Sequence, residues 1–414
     1  MSTTLLEPVH SLPAFSNEPV ADFSKPPNRQ AMEKALRDVH AELGREYDLL
    51  IGGAHHKTAE KLQSLNPSRP REVVGIHNKA TADLAREAVE FAYSYFPEWS
   101  RVPAETRAEI LLRAAALIRK RKFEFDAWLV YEAGKTWPEA EADVCEAIDF
   151  CEYYARQMLR LAKPDPLLQL SGEKDDLVYL PLGVGIIIPP WNFPLAIMVG
   201  MTTAALVAGN TVVIKPSSDT PTIAAKFAEV LRDAGFPPKS FSMLVGSGSV
   251  VGDVLVQHPK TRFIAFTGSR DVGLHINELA AKPQKNQIWI KRVIAEMGGK
   301  DAIIVDREAD LNSAVKGVLW SAFGYQGQKC SACSRAIVDE AIYDEFLEKL
   351  QAEVSAIKLG PSDQPDNYMG PVINESAKRS ILEYIEVGKK EGRLIAGGSA
   401  APGDGFFIEP TVIA

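Results

Sequence analysis

The sequence predicts an α/β fold: a doubly wound parallel sheet forming one domain, followed by a second α/β domain. Three observations carry this. From Leu182 onward, short β-branched runs alternate with helical stretches. The strand runs are continuously apolar, which marks a parallel sheet covered on both faces. The chain has 414 residues, more than one ordinary core organises, so two or more domains are expected.

Taken in order, Met1 to Pro27 is rich in Pro, Ser and Glu without a sustained period and reads as a loosely ordered lead-in. In Ala104 to Lys122, Ile110, Leu111, Ala114, Leu117 and Ile118 recur at helical spacing, with charged residues on the other face. Glu139 to Leu161 continues the helical pattern; Cys145 and Cys151 within it read as small apolar fillers. Strands follow at Val184–Ile188, Thr211–Ile214, Phe241–Val245 and Arg262–Phe266, separated by helices at Leu195–Val207, Thr222–Ala234 and Val250–His258. Sheets of this type bind ligands beyond the carboxyl ends of their strands. Functional residues are therefore expected just after Ile188, Ile214, Val245 and Phe266.

Those loops are Pro189-Pro-Trp-Asn-Phe-Pro194, Lys215-Pro-Ser-Ser218, Gly246-Ser-Gly-Ser-Val-Val-Gly252 and Thr267-Gly-Ser-Arg-Asp-Val-Gly273. Each is polar or glycine-bearing and opens a helix, which presents backbone N–H groups to an anion such as a dinucleotide pyrophosphate. The Gly246-x-Gly248-x-x-x-Gly252 run is weak evidence alone, because such a turn often serves geometry only.

Composition excludes several classes. With 46% hydrophobic and 24% charged residues and a net charge of -8, nothing attracts nucleic acid or an anionic membrane, and a small-molecule partner is expected. No leader pattern and no run of about 18 apolar residues occurs, so the expected location is cytoplasmic. Four cysteines make no disulfide framework in a chain of this length. Cys330 and Cys333, spaced Cys-x-x-Cys, could be a redox pair, half a metal site, or a nucleophile and a bystander. Zinc needs about four ligands; neither a second Cys-x-x-Cys nor clustered histidines supplies them, and His55-His56 reads as a solvent-facing pair. No metal is expected. A redox dithiol usually opens a helix after a strand, whereas here Leu319 to Tyr325 precedes as the end of a helix.

Four blocks are more specific together: Pro190-Trp-Asn-Phe-Pro194, Phe266-Thr-Gly-Ser269, Glu296-Met-Gly-Gly-Lys300 and Gly327-Gln-Lys-Cys330. Their order and spacing resemble the aldehyde dehydrogenase superfamily, from about Tyr47 to the end of the chain. Gly-Gln-Lys-Cys-Ser-Ala-Cys-Ser-Arg335 and Glu296-Met-Gly-Gly-Lys-Asp-Ala-Ile-Ile-Val305 look most like its 1-pyrroline-5-carboxylate dehydrogenase branch. The resemblance implies NAD-dependent oxidation of L-glutamate γ-semialdehyde to glutamate in proline degradation. It implies Cys330 as the nucleophile, Asn192 as an oxyanion donor and Glu296 as the base that activates the hydrolytic water. Singly, Glu296 could be a surface carboxylate and Asn192 a turn residue.

For the cofactor, the resemblance puts Pro189, Pro190 and Trp191 beside the nicotinamide half, Lys215 on the adenine ribose and Ser269 on the pyrophosphate. Ser218, Gly248, Gly268 and Gly298 complete the expected cofactor set, and Ser331 is implied to bind the substrate α-carboxylate. Bland readings stand beside these: a solvated strand-end charge for Lys215, and a serine merely opening a turn for Ser331. The implied fold is a Rossmann-type cofactor domain over 47–297, carrying an oligomerisation segment at about 166–181, after an extension over 1–46. An incomplete catalytic domain spans 298–414.

Three departures from the family pattern matter. Ser218 stands where many NAD-preferring relatives carry Glu, so NAD is expected with NADP tolerated. The helix is apolar through Met198-Val-Gly-Met201, where many general aldehyde dehydrogenases carry Lys. The chain stops at Phe407-Ile-Glu-Pro-Thr-Val-Ile-Ala414, where family members continue, so a C-terminally truncated chain is expected, and a homo-oligomer in the full-length protein. Three rivals remain open: a dehydrogenase for another semialdehyde, a nucleotide-binding protein without turnover, and a dithiol oxidoreductase.

Overall fold

A computed structural model describes residues 12–163 and 166–414. The principal sheet has seven strands. In spatial order they are Arg292–Glu296, Thr261–Thr267, Val184–Ile188, Thr211–Ile214, Phe241–Met243, Leu49–Ile51 and Ala54–His56. The first five run parallel, and the last two add an antiparallel hairpin at one edge. The Val184–Ile188 and Thr211–Ile214 strands are buried at every residue, as their unbroken apolar runs require for a sheet covered on both faces. At the centre, a side chain on Gly185 would meet the Phe263 ring at 2.2 Å, so the neighbouring strand approaches closely only over glycine.

Helices cover both faces and divide the core in two. One layer is built from helices Ala104–Lys120, Lys122–Ala133, Trp137–Leu161, Ala196–Val207 and Pro221–Ala234. It buries Trp128, Leu129, Ile148, Met198 and Phe227 against the sheet. The other packs helices Ala82–Trp99, Asp253–Gln257 and Arg270–Ala281 around Val89, Leu255 and Ile276. Helix ends follow local chemistry: Pro stands in the first turn of Trp137–Leu161 and Pro221–Ala234, and Gly134 and Gly235 close two helices in the left-handed conformation. The helix expected over Ala104 to Lys122 ends at Lys120, and a second begins at Lys122.

The lead-in differs from expectation over its described part. Ala21 N–H donates to Glu141 at 2.6 Å, Glu18 N–H to Asp149 at 2.6 Å and Arg156 to the Pro13 carbonyl at 3.1 Å. These bonds strap residues 13–21 across the Trp137–Leu161 helix, and helix Pro26–His40 then buries Met32, Leu36 and Val39 in the larger core. A low-period stretch can thus be ordered by backbone bonds to carboxylates on a neighbouring helix, which leave no hydrophobic pattern to read.

After Glu296 the chain forms a smaller α/β unit. Strands Asp301–Val305 and Cys333–Val338 pair in parallel, with helices Leu311–Phe323 and Tyr343–Ser355 packed beside them. Val305, Val315, Val318, Cys333 and Phe346 form its core.

Candidate active site

The chain leaves the strand ends into a cleft of about 590 Å³. Pro189, Pro190, Trp191 and Asn192 line it from the loop after Val184–Ile188, and Lys215 and Ser218 from the loop after Thr211–Ile214. Gly268 and Ser269 come from the loop after Thr261–Thr267, Gly298 from the turn after Arg292–Glu296, and Cys330 from the smaller unit. The strand Val184–Ile188 has Thr211–Ile214 on one side and Thr261–Thr267 on the other. That is where the strand order reverses, and there neighbouring loops diverge to leave a crevice. Gly248, in the loop after Phe241–Met243, does not line the cleft. It is exposed, at the start of the π-type turn Gly248–Gly252, whose last two residues are buried.

Asn192 is held in one orientation. Its Oδ1 accepts the Phe193 N–H at 3.0 Å and its Nδ2 donates to the Gln328 carbonyl at 3.0 Å, two residues before Cys330. The side-chain amide therefore reaches across from the sheet loop to the cysteine turn. That turn is unusual. Tyr325 and Gln326 both have positive φ, 48° and 57°, a conformation non-glycine residues hold only when their surroundings impose it. Here Tyr325 is fully buried and its hydroxyl donates to the Ala133 carbonyl at 2.9 Å, while Gln326 donates to Pro371 at 2.6 Å and accepts from Gly370 at 3.1 Å. Cys330 follows, exposed, as a free thiol.

Glu296 ends the strand that pairs with Thr261–Thr267, and its carbonyl accepts the Gly268 N–H at 3.1 Å. Its side chain is exposed and does not itself line the cleft, whereas Met297, Gly298 and Gly299 do. A side chain on Gly299 would fall 2.5 Å from the Cys330 carbonyl, so the glycine lets the Glu296 turn and the cysteine turn close on each other. Ser331 is exposed beside Cys330 and also lies off the cleft lining. Cys333 points the other way: it is buried in the core of the smaller unit, and its N–H donates to Ser321 Oγ at 3.2 Å.

The residues present fit a dinucleotide. Burial pushes the Lys215 ammonium down to about 8, and its one hydrogen bond is to the adjacent Pro216 carbonyl at 3.2 Å. A buried cation so poorly satisfied suits an incoming hydroxyl or phosphate oxygen. Gln328 Nε2, on the same cleft, is a buried donor without an acceptor among the described residues. The Ser269 side chain caps helix Arg270–Ala281 through the Val272 N–H, leaving that helix start facing the cleft.

Sequence reasoning missed several neighbours. Lys329, next to Cys330, pairs with Glu139 at 2.8 Å. Asp219 lines the cleft and accepts from Asn374 at 3.0 Å. Partners 190 and 155 residues apart leave no local signal. Replacing Asn192 with Ala should lower kcat by about 10²–10³-fold with cofactor affinity kept, measured by steady-state turnover beside direct cofactor titration.

An exposed thiol, an oriented side-chain amide and the turn after Glu296 meet at one cleft beyond the ends of a parallel sheet, the arrangement of an oxidoreductase of the aldehyde dehydrogenase class. Residues 54–414 match the aldehyde dehydrogenase family, and the chain belongs to it. It is 55% identical to the 1-pyrroline-5-carboxylate dehydrogenase of Geobacillus thermodenitrificans over 400 residues, 97% of this chain and 78% of that one. The fold superposes on the Thermus 1-pyrroline-5-carboxylate dehydrogenase with bound NAD at a TM-score of 0.95 and 48% identity, covering 97% of this chain and 78% of that chain. A Mycobacterium tuberculosis Δ-pyrroline-5-carboxylate dehydrogenase bound with NAD and cobalamin gives 0.91 and 29%, covering 97% and 76%. The expected family and fold are borne out. Among the described residues no helix is long and apolar enough to cross a membrane.

Proposed function

We propose that this chain oxidises L-glutamate γ-semialdehyde to L-glutamate with NAD, a step of proline degradation. The observation that carries the reading is the convergence of Asn192, the Glu296 turn and Cys330 on one cleft. It is supported by 55% identity to a relative of that name. NAD bound in the cleft supplies the hydride acceptor. Cys330 attacks the aldehyde carbon as thiolate and forms a thiohemiacetal. The Asn192 amide and the Cys330 backbone N–H stabilise the oxyanion. Loss of hydride leaves a thioester on the same sulfur, and Glu296 deprotonates the water that hydrolyses it. The exposure of Glu296 suits a base that must reach solvent. Ser331, exposed beside Cys330, is the proposed contact for the substrate carboxylate.

The test is NADH formation by the full chain with L-glutamate γ-semialdehyde against a panel of other ω-semialdehydes. The γ-semialdehyde should give the highest kcat/KM. Preference for a chain lacking the α-amino acid group would move the assignment to another semialdehyde, and nucleotide binding without NADH would mark a binding protein.

The half-buried Ser218 puts no carboxylate at its place in the ribose end of the cleft. NADP should therefore be used with a discrimination below about a thousandfold, about 4 kcal/mol, measured as the ratio of kcat/KM values; a larger ratio contradicts it. Segment 166–181 exposes Leu168, Leu170, Val178 and Leu180 and is proposed as the oligomerisation segment of a homo-oligomer.

A further inference from the structure

Lys135 lies in the short connection between helices Lys122–Ala133 and Trp137–Leu161 and has no solvent exposure. Its Nζ has no hydrogen-bond acceptor among the described residues. Instead the ammonium sits 3.8 Å from the Phe193 ring centroid and 4.2 Å from that of Tyr325, and the two rings meet edge to face at 6.3 Å. Asp143 approaches with one carboxylate oxygen at 3.4 Å, and its other oxygen accepts the Ala196 N–H at 2.7 Å in the first turn of helix Ala196–Val207. Burial pushes the Lys135 ammonium down and the Asp143 carboxyl up, and their approach opposes both shifts.

The two rings belong to the two halves of the active site. Phe193 follows Asn192, and Tyr325 begins the positive-φ turn that leads to Cys330. The end of helix Lys122–Ala133, just before this connection, grips Tyr325 a second time, through the Ala133 carbonyl that accepts its hydroxyl. A desolvated ammonium is attracted to aromatic faces more strongly than an exposed one. A side chain needed only to fill this space would carry no charge, because burying one without full hydrogen bonding opposes folding.

We propose that Lys135 is a positioning residue, its ammonium held between the Phe193 and Tyr325 rings so that the Asn192 amide and the Cys330 turn keep the separation that oxyanion stabilisation requires. Lys135 acts through both rings and touches neither substrate nor cofactor. The inference rests on the thiolate mechanism above, and it is tested without NAD or semialdehyde, so the two can fail separately.

The probe is p-nitrophenyl acetate. The Cys330 thiolate attacks the ester carbonyl, the tetrahedral oxyanion collapses, the bond to p-nitrophenolate breaks, and the acetyl group remains on sulfur. Iodoacetamide is the control, because the thiolate displaces iodide from carbon with no oxyanion formed. Each rate is followed on the Cys330 peptide by mass spectrometry. Lys135→Met should lower the acylation rate by about 30-fold and leave alkylation within about threefold of the parent chain. Phe193→Leu should do the same, and the double variant should lose little more than either single one, because both remove one device. Acylation within about threefold of the parent in Lys135→Met overturns the proposal, as does a parallel fall in acylation and alkylation, or losses that multiply in the double variant. Should Lys135→Met fail to fold, the two rates in Phe193→Leu decide it alone: unchanged acylation overturns it, and a selective fall supports it. A parent chain acylated at Cys330 but inert toward the semialdehyde would count against the proposed substrate and leave this comparison intact.

Discussion

Cys330→Ser should abolish NADH formation, lowering kcat by about 10⁴-fold or more, while the variant still binds NAD. A serine hydroxyl near neutral pH is almost wholly protonated, and none of the residues placed around Cys330 is a histidine that could activate it. Cys333→Ala gives the opposite result. Cys333 faces Val305, Val315 and Phe346 in the core of the smaller unit, so its loss should cost about 1 kcal/mol of stability and leave turnover within several-fold, measured by the same assay and by thermal unfolding. A dithiol mechanism predicts equal damage from both variants. The Cys-x-x-Cys spacing is thus resolved by direction: Cys330 is exposed beside the cleft, whereas Cys333 begins a strand and packs inward.

Glu296→Gln carries the second large effect and falls on a different step. Thiolate attack and hydride loss need no base for water, so the first turnover should proceed and release NADH in a burst stoichiometric with enzyme. Hydrolysis of the thioester should then slow by about 10²–10⁴-fold, read as the steady-state rate after the burst by stopped-flow absorbance. A slow first turnover without a burst would place Glu296 before hydride transfer instead. The close approach of Gly299 to the Cys330 carbonyl brings the turn after the sheet's edge strand against the cysteine turn, as this assignment requires.

Much of this arrangement was legible before the structure. The strands Val184–Ile188 and Thr211–Ile214 could be read to the residue because both of their faces are buried and the chain is apolar throughout. The loops after them were legible for the same reason, since Pro189 and Lys215 end the runs. Arg292–Glu296 offers no continuous apolar run to mark it as a strand. It is the edge of the sheet, alternates exposed and half-buried residues, and begins with a charge. The hairpin Leu49–Ile51 and Ala54–His56 is too short to show a period. Gly248 illustrates a limit of another kind: its loop follows a parallel strand yet stands off the cleft lining, and the spatial order of strands is not written locally. Lys135 and Glu139 could not be read at all as parts of a site. Their partners Tyr325 and Lys329 lie on the other unit, brought together only by folding.

The central claim is that one sulfur, on Cys330, carries the substrate carbon through oxidation. The most direct measurement is peptide mass spectrometry of Glu296→Gln after mixing with NAD and L-glutamate γ-semialdehyde and rapid acid quench. The account predicts a γ-glutamyl thioester on the Cys330 peptide, in amount equal to the NADH burst. An adduct on Cys333, a Cys330–Cys333 disulfide, or NADH formed with Cys330 unmodified would contradict it.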